Sequence, residues 1–451
     1  MRWPDGSRFG LAAAIAVAVA MPAAANAQHP GQGHAAPPAP ADTVHATHAH
    51  EAMPMMHAAR GHAHEGAPAF YGRYAISREA SGTAWQPESS PHTGWHVMRG
   101  PWSLMLHGFA FVVADRQGGA RGDDRLFSTS MLMGMASRPA GPGRLGLRTM
   151  VSLEPLTVGK RGYPLLLQTG ETADGRTHLI DRQHPHDLFM ELAAVWTVSD
   201  ATRSAFVYAG LPGEPALGPP VFMHRYSGES NPESPIGHHW LDSSHITFGV
   251  ATVGLVHGAW KLEGSAFRGR EPDQDRSDIE TPKLDSYATR MSWNPTPDWA
   301  LQASAGRLES PEQLAPEVDT HRATVSAMWS RLLPVGRLSA MAAWGRNRNR
   351  PGAVLDALLL EGAGEFGRHA VFARVERTEK DELFPDGDPR AEDVFNVGRL
   401  SGGYIREVLR TDHLELGAGA MGGAALVPDG LKGVYGDTPL SASLFVRARL
   451  R

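Results

Sequence analysis

The sequence predicts an all-β fold: a transmembrane antiparallel β-barrel of about sixteen strands, preceded by a disordered N-terminal segment. Apolar and polar residues alternate in runs of ~9–13 residues, which suits strands tilted across a bilayer. Short turns such as Pro139–Gly143 and Asn294–Asp298 alternate with longer loops rich in Pro, Gly and charge. The polar face repeatedly carries Arg and Glu, which fits a water-filled interior better than the dry core of a soluble sandwich.

The N-terminus has the features of an export signal. Arg2 and Arg8 make the first residues basic, and the apolar run Leu11–Ala20 follows them. Ala25-Asn26-Ala27 is a cleavage site. Residues 1–27 are therefore expected to form a signal peptide. The chain has no cysteine, which excludes disulfides and thiolate metal sites. Its formal net charge of -5 gives no reason to expect nucleic acid as a partner.

Residues 28–70 form a leader rich in Ala, Pro, His and Met, with too few apolar residues for a core, so we expect disorder. Neutral imidazole binds Cu(II) or Zn, and thioether sulfur binds Cu(I). The leader residues expected to capture metal are His45, His48, His50, Met53, Met55, Met56, His57, His62 and His64. The alternative is a linker with no binding role. Residues 71–100 lead into the barrel, which we assign to residues 101–451.

The barrel strands follow one another along the alternating runs. Their expected starts lie near residues 102, 126, 143, 187, 203, 244, 259, 284, 299, 320, 337, 354, 370, 393, 413 and 439. Apolar residues occupy odd positions in Arg144–Glu154 and even positions in Ile246–Val256. Asp187–Val198 could also form a helix and Ala205–Gly210 is short, so the count falls to fourteen if either is not a strand. An even count puts both termini on the short-turn side, which is periplasmic in bacterial barrels.

Two sets of side chains mark the two faces of the predicted barrel. One half of an aromatic girdle is expected near the short turns, from Trp102, Trp196, Trp260, Trp293, Trp299 and Trp329. The residues expected to line a pore of mixed charge are Arg148, Glu154, Glu191, Glu263, Arg290, Arg322, Arg337, Arg374, Glu376, Glu415 and Arg447. A sixteen-strand barrel is wide enough to hold water.

Two long loops carry most of the remaining chemistry. The first spans Pro155–His186 and the second Leu211–Ser243, and hairpin topology brings both to the same rim. Imidazole and carboxylate suit Zn, Cu or Ni. The candidate ligands are His184, His186, Asp187, His224, His238, His239, Asp242 and His245. The alternative is that these residues only hydrogen-bond the loops to each other and to arginines of the lumen.

A serine-rich stretch of the second loop raises an enzymatic alternative, a lipid acyl hydrolase. The residues concerned are Ser227, Ser230, Ser234, Asp242, Ser243, Ser244 and His245. Such an enzyme needs histidine within hydrogen-bond reach of serine. In a regular strand Ser244 and His245 point to opposite faces, and Ser243 lies ~7 Å from His245. We therefore expect no catalytic residues.

The organisation of residues 100–451 resembles that of Gram-negative outer-membrane porin-like proteins. This resemblance implies an outer-membrane location, contacts with lipid and lipopolysaccharide, insertion by the barrel-assembly machinery, and a second long loop folded into the lumen. It leaves homo-oligomerisation open.

The leader, through Met53-Pro54-Met55-Met56-His57, loosely resembles outer-membrane copper-resistance proteins. Together the two resemblances imply a porin-like channel linked to copper handling. The acyl hydrolase and a plugged barrel acting as receptor or scaffold stay open as alternatives.

Overall fold

The computed structural model describes residues 69–451. The predicted signal peptide and the predicted metal-capturing residues of the leader, His45 to His64, lie outside the described residues. Ala69 and Phe70, the last two residues of the predicted leader, are buried. The packed part of the chain therefore begins no later than Ala69.

Nineteen strands are present in the described residues. They are β1 (Trp95–Arg99), β2 (Trp102–Gln117), β3 (Asp124–Ala140), β4 (Gly143–Val151), β5 (Tyr163–Thr172), β6 (His178–Gln183), β7 (Phe189–Ser199), β8 (Arg203–Gly210), β9 (Val250–His257), β10 (Trp260–Phe267), β11 (Ser286–Trp293), β12 (Trp299–Leu308), β13 (Asp319–Leu333), β14 (Gly336–Arg350), β15 (Val354–Phe366), β16 (His369–Lys380), β17 (Phe395–Arg410), β18 (Leu414–Leu426) and β19 (Leu440–Leu450).

Sixteen of these strands close into one antiparallel barrel, because each pairs with the next and β19 pairs back with β2. The strand β1 adds to the part of β2 that β19 does not reach, and β5 and β6 form a separate hairpin in the first long loop. The predicted fold class and strand count are confirmed. The two segments on which the count of sixteen depended, Asp187–Val198 and Ala205–Gly210, correspond to β7 and β8, and both are strands of the barrel.

Helices are short and lie in the connections. They are α1 (Glu154–Thr157), α2 (His238–Leu241) and α3 (Asp429–Tyr435), with 3-10 turns at Ile76–Arg78, Phe222–His224 and Ser243–His245. Within residues 69–451, no helix is long and apolar enough to cross a membrane.

Two predicted strand ends and one predicted face are wrong. The strand β9 begins at Val250 and not near residue 244, because Ser243–His245 forms a 3-10 turn. The even positions of β9 are buried inside the barrel, whereas Val253 and Leu255 face outward at 62% exposure. Both faces of this strand are apolar, so alternation alone does not identify the outer one. Glu154 was expected on a strand, but β4 ends at Val151 and Glu154 opens α1.

The outer wall of the barrel is apolar and carries tryptophans near the short turns. Large apolar side chains that are exposed there include Leu147, Val207, Leu262, Val325, Leu358, Val371, Leu444 and Val446. Trp260 and Trp293 stack with ring centroids 4.9 Å apart at the end where β10 and β11 meet a short turn. Exposed apolar surface of this extent suits lipid and not water.

Two segments fill the interior. We call residues 211–249, which connect β8 to β9, the inward loop, and residues 69–94 the N-terminal segment. Apart from Leu211, His224 and Glu229, every residue of the inward loop is buried. The N-terminal segment packs at the short-turn end, where Asn294 donates to the Gln86 carbonyl at 2.9 Å and Ser204 to the Tyr71 carbonyl at 2.6 Å.

Leu444→Arg tests whether the outer wall faces lipid. Leu444 lies mid-strand in β19 and is 68% exposed, so an arginine there should lower the free energy of unfolding by about 2–4 kcal/mol in a bilayer. Leu440→Arg, at the end of the same strand, is the matched control and should cost only about 0–1 kcal/mol. Denaturant unfolding in phospholipid vesicles measures both. Small and equal losses would contradict a lipid-facing wall.

Candidate metal site

The inward loop is held by a buried chain of charges. The Arg225 side chain is 0% exposed and pairs with Asp242 of the same loop and, at 2.8 Å, with Glu361 on β15. Glu361 also pairs with Arg374 on β16 at 3.1 Å. Because each of these charges is paired, the loop keeps its place without an uncompensated charge in the interior.

Further hydrogen bonds join the inward loop to strands around the barrel. The contacts are Arg290 to the Gly218 carbonyl at 3.0 Å, Gly218 N–H to Ser304 at 2.8 Å, Gly237 N–H to Glu376 at 3.2 Å, Asn347 to the His239 carbonyl at 3.1 Å and Arg447 to Ser230 at 3.1 Å. They come from β11, β12, β16, β14 and β19, so the loop crosses the lumen from wall to wall.

The residues predicted to line a pore are almost all buried. Arg148, Glu191, Glu263, Arg290, Arg322, Arg374, Glu376, Glu415 and Arg447 lie on the inner face of barrel strands at no more than 3% exposure. Glu154 is buried beneath the first long loop, and Arg337 is half-buried. Most are ion-paired, as in Arg148–Glu191 at 3.1 Å and Arg290–Glu263 at 3.0 Å.

Five of the predicted metal ligands come together at one place. His184 and His186 arrive from the first long loop, and His238, His239 and His245 from the inward loop. The ring centroids lie 5.5 Å apart for His184–His239, 5.3 Å for His186–His245, 5.2 Å for His238–His245 and 5.6 Å for His238–His239. We call these five residues the histidine cluster. All five are buried.

Each ring of the histidine cluster is oriented through one nitrogen. The partners are Glu171 for His184 Nε2 at 3.1 Å, Glu154 for His186 Nδ1 at 2.9 Å, Asp242 for His238 Nδ1 at 2.6 Å, Glu271 for His239 Nδ1 at 3.3 Å and the Asp242 carbonyl for His245 Nδ1 at 2.9 Å. The second nitrogen of every ring is buried without a hydrogen-bond partner. Metal-binding histidines have this arrangement, in which a carboxylate or carbonyl holds one nitrogen and leaves the other for the ion.

Burial disfavours the charged form of the His184, His238 and His245 rings and lowers the pKa of each. Burial lowers the pKa of His184 and His245 well below the usual value, and neighbouring histidines lower both further. Burial alone would raise the pKa of Asp242, but Arg225 and then His238 hold it below its usual range. The site therefore combines these three imidazoles, which burial keeps from charging, with the charged carboxylate of Asp242, and transition metals bind both types of donor.

Neighbouring rings of the histidine cluster have centroids 5.2–5.6 Å apart, whereas those of His184 and His238 are 6.3 Å apart. Imidazoles on a tetrahedral ion have ring centres about 5 Å apart, since each nitrogen lies about 2 Å from the metal. Among the described residues, only His178, Glu312 and Glu382 have ligand atoms already within 4.8 Å of one another. No three donor atoms of the histidine cluster lie that close together, so its rings must reorient before three of them can share one ion.

Two predicted ligands lie outside the histidine cluster. Asp187 pairs with Arg276 at 3.4 Å, and burial, followed by the charge of Glu280, raises its pKa well above the usual value. His224 lies on another side of the inward loop, with Nε2 3.2 Å from the sulfur of Met150.

The carboxylates that orient the rings were not predicted in that role. Glu154 was expected to line the pore, and Glu171 and Glu271 were not singled out. Glu271 belongs to the connection between β10 and β11, whose acidic residues gave no sign of reaching a histidine. No local spacing in the sequence encodes this contact, because it joins two loops through the barrel.

The serines of the second loop are engaged elsewhere or unpartnered. Ser243 donates to Glu271 at 2.8 Å and accepts from Arg322, Ser227 donates to Glu361 at 2.9 Å, and Ser244 has no hydrogen-bond partner. No contact recorded for the described residues joins one of these hydroxyls to a histidine. The geometry needed to activate a serine nucleophile is not present at these residues.

Among the comparisons with known proteins, only the search of solved structures finds matches, and these concern the barrel. A scan of protein-family models and a search of curated proteins find no match. Among solved structures, Salmonella typhi OmpF in complex with daunomycin matches with a TM-score of 0.48 and 10% identity over 79% of this chain and 100% of the other. An anion-selective porin from Comamonas acidovorans has a TM-score of 0.45 and 12% identity over 77% of this chain and 99% of the other. Pseudomonas putida OprB has a TM-score of 0.49 and 12% identity over 77% of this chain and 94% of the other. None of these bears on the contents of the lumen.

Glu361→Gln tests the charge chain that anchors the inward loop. The substitution leaves Arg225 short of one partner and Arg374 without its carboxylate, both almost fully buried, so the free energy of unfolding should fall by about 3–5 kcal/mol. Glu392→Gln, at an exposed position of the connection between β16 and β17, is the control and should change little. Denaturant unfolding of both variants provides the measurement. A loss under about 1 kcal/mol for Glu361→Gln would show that the loop is held by other contacts.

Proposed function

We propose that this chain is a porin-like outer-membrane barrel that handles transition-metal ions through the histidine cluster in its lumen. The ion bound there is a borderline divalent metal, Cu(II) or Zn(II), because imidazole and carboxylate suit both. The observation that carries the proposal is the set of five buried ring nitrogens without partners, each on a ring that is oriented through its other nitrogen.

Packing alone gives no reason for this arrangement. A buried polar atom without a partner costs about 1–3 kcal/mol, and such atoms are rare in native structures. Buried side-chain atoms without a partner also occur elsewhere in the described residues, but here five ring nitrogens of this kind lie together. An ion that accepts these lone pairs offsets that penalty.

A cavity borders the histidine cluster at His239. It has a volume of about 200 Å³, and its lining also includes Glu271, Glu312, Asp381 and Glu382. Ionised carboxylates here would attract cations, although burial and then the charge of Glu382 raise the pKa of Glu312 well above its usual value. Glu312 and Glu382 also form, with His178, the group whose ligand atoms are already close. This cavity supports loading from the long-loop side.

The apolar outer wall and its tryptophans support a place in the outer membrane, with the short turns and both termini on the periplasmic side. Lipid and lipopolysaccharide around the wall and the barrel-assembly machinery are the partners we propose. Because the inward loop and the N-terminal segment occupy the lumen, the function we favour is metal capture with gated passage, not free diffusion of solutes.

The test is Cu(II) and Zn(II) binding by the full chain. The double variant His238→Asn/His245→Asn removes two rings of the histidine cluster, and His257→Asn/His413→Asn removes two exposed rings. Equilibrium dialysis with metal analysis should give one ion fewer per chain for the first variant and no change for the second. The leader is present in all samples and contributes an equal background.

Copper(II) electron paramagnetic resonance provides an independent signal. The ion lost in the cluster variant should show coupling to several nitrogens in the wild-type protein. Equal stoichiometry and equal affinity in the cluster variant and the wild type would refute the proposed site, whatever the leader binds.

A further inference from the structure

Methionines and histidines form a second group on the inner wall, away from the histidine cluster. His107 on β2 and His224 of the inward loop have ring centroids 5.9 Å apart. Met105, Met133 and Met135 line the same cavity of about 60 Å³ as these two rings. The sulfur of Met150 on β4 lies 3.2 Å from His224 Nε2.

Strand register explains why these side chains meet. His107 is directly opposite Met133, and Met133 is directly opposite Met150, so three neighbouring strands place one row of imidazole and thioether groups on the inner face. Met105 is opposite Met135 in the next row. Side chains directly opposite one another have Cβ atoms about 4.5–5.5 Å apart, which is within reach of a shared ion.

The two rings are prepared for binding and are accessible. His107 Nδ1 lies 3.1 Å from the Thr93 carbonyl, which fixes the proton on Nδ1 and leaves Nε2 as an acceptor. His107 and His224 are half-buried, whereas Met133 and Met150 are buried. A wall that only had to pack would need no imidazole among its thioethers.

Charged groups near the cavity are already engaged. Arg148 pairs with Glu191 at 3.1 Å, and Glu229 pairs with Arg449 at 2.7 Å. Glu79 accepts hydrogen bonds from the backbone N–H groups of Phe70 and Tyr71. The donors left to a ligand are therefore neutral sulfur and nitrogen atoms.

We propose that His107, His224 and Met150, with Met133 and Met105 beside them, form a second metal site, specific for a soft monovalent ion such as Cu(I) or its analogue Ag(I). Thioether sulfur selects soft ions, and neutral donors suit an ion of single charge. The histidine cluster, with imidazole and carboxylate donors, does not share this preference. The two sites lie on different sides of the turn Phe222–His224, since the Phe222 ring contacts His186 and His238 of the cluster.

The experiment is anaerobic titration of the full chain with Ag(I) and with Cu(I), in competition with a chromogenic chelator. His224→Asn should bind one soft ion fewer per chain, and Met150→Leu should bind that ion at least tenfold more weakly. Met190→Leu is the control and should match the wild type, because Met190 is buried as Met150 is, whereas the sulfur that lies 3.2 Å from His224 Nε2 belongs to Met150. Both leucine variants conserve volume, so folding is retained.

X-ray absorption of the Cu(I)-loaded protein supplies the second readout. The wild type should show sulfur neighbours of copper that diminish in Met150→Leu. His238→Asn/His245→Asn should keep the soft ion, which separates this proposal from that for the histidine cluster. The proposal is overturned if His224→Asn binds soft ions as the wild type does, or if binding is lost only with the cluster variant.

Discussion

The paired charges of Arg225, Asp242 and Glu361 are the constraint on which the rest of the interior depends. A long polar loop inside a barrel has to satisfy its charges away from bulk water, and an unpaired buried charge would cost several kcal/mol. Asp242 meets this need in two ways, since it pairs with Arg225 and orients His238. The residue that pairs with Arg225 to fix the loop is therefore also the residue that orients a ring of the histidine cluster.

This coupling links the interior of the barrel to the chemistry of the site. Glu271 orients His239 and also accepts from Ser243, to which Arg322 of the wall donates. Movement of the inward loop would therefore disturb the rings and the wall contacts together. A metal ion that binds the rings should stabilise the loop in place, because binding to one conformation shifts the population towards it.

The sequence is informative where structure is encoded locally. Period-two alternation and turn spacing predict sixteen strands within a few residues, because both are properties of neighbouring positions. β9 is the exception, because a 3-10 turn at Ser243–His245 delays its start and because both its faces are apolar. His184 and His238 are recognisable by residue type and loop adjacency, whereas Glu271 reaches the cluster only through the closed barrel. From the sequence alone, Met133 and Met150 look like ordinary apolar residues. Only the strand register shows that they lie in one row with His107.

Single-channel conductance of the full chain in planar bilayers tests most directly the claim that the inward loop lies across the lumen. Heat-modifiable migration on gels would first establish that the barrel is folded. The account predicts no steady conductance steps of the size of an open sixteen-strand pore, because the inward loop and the N-terminal segment fill the interior. Long-lived steps of that size from folded protein would contradict it.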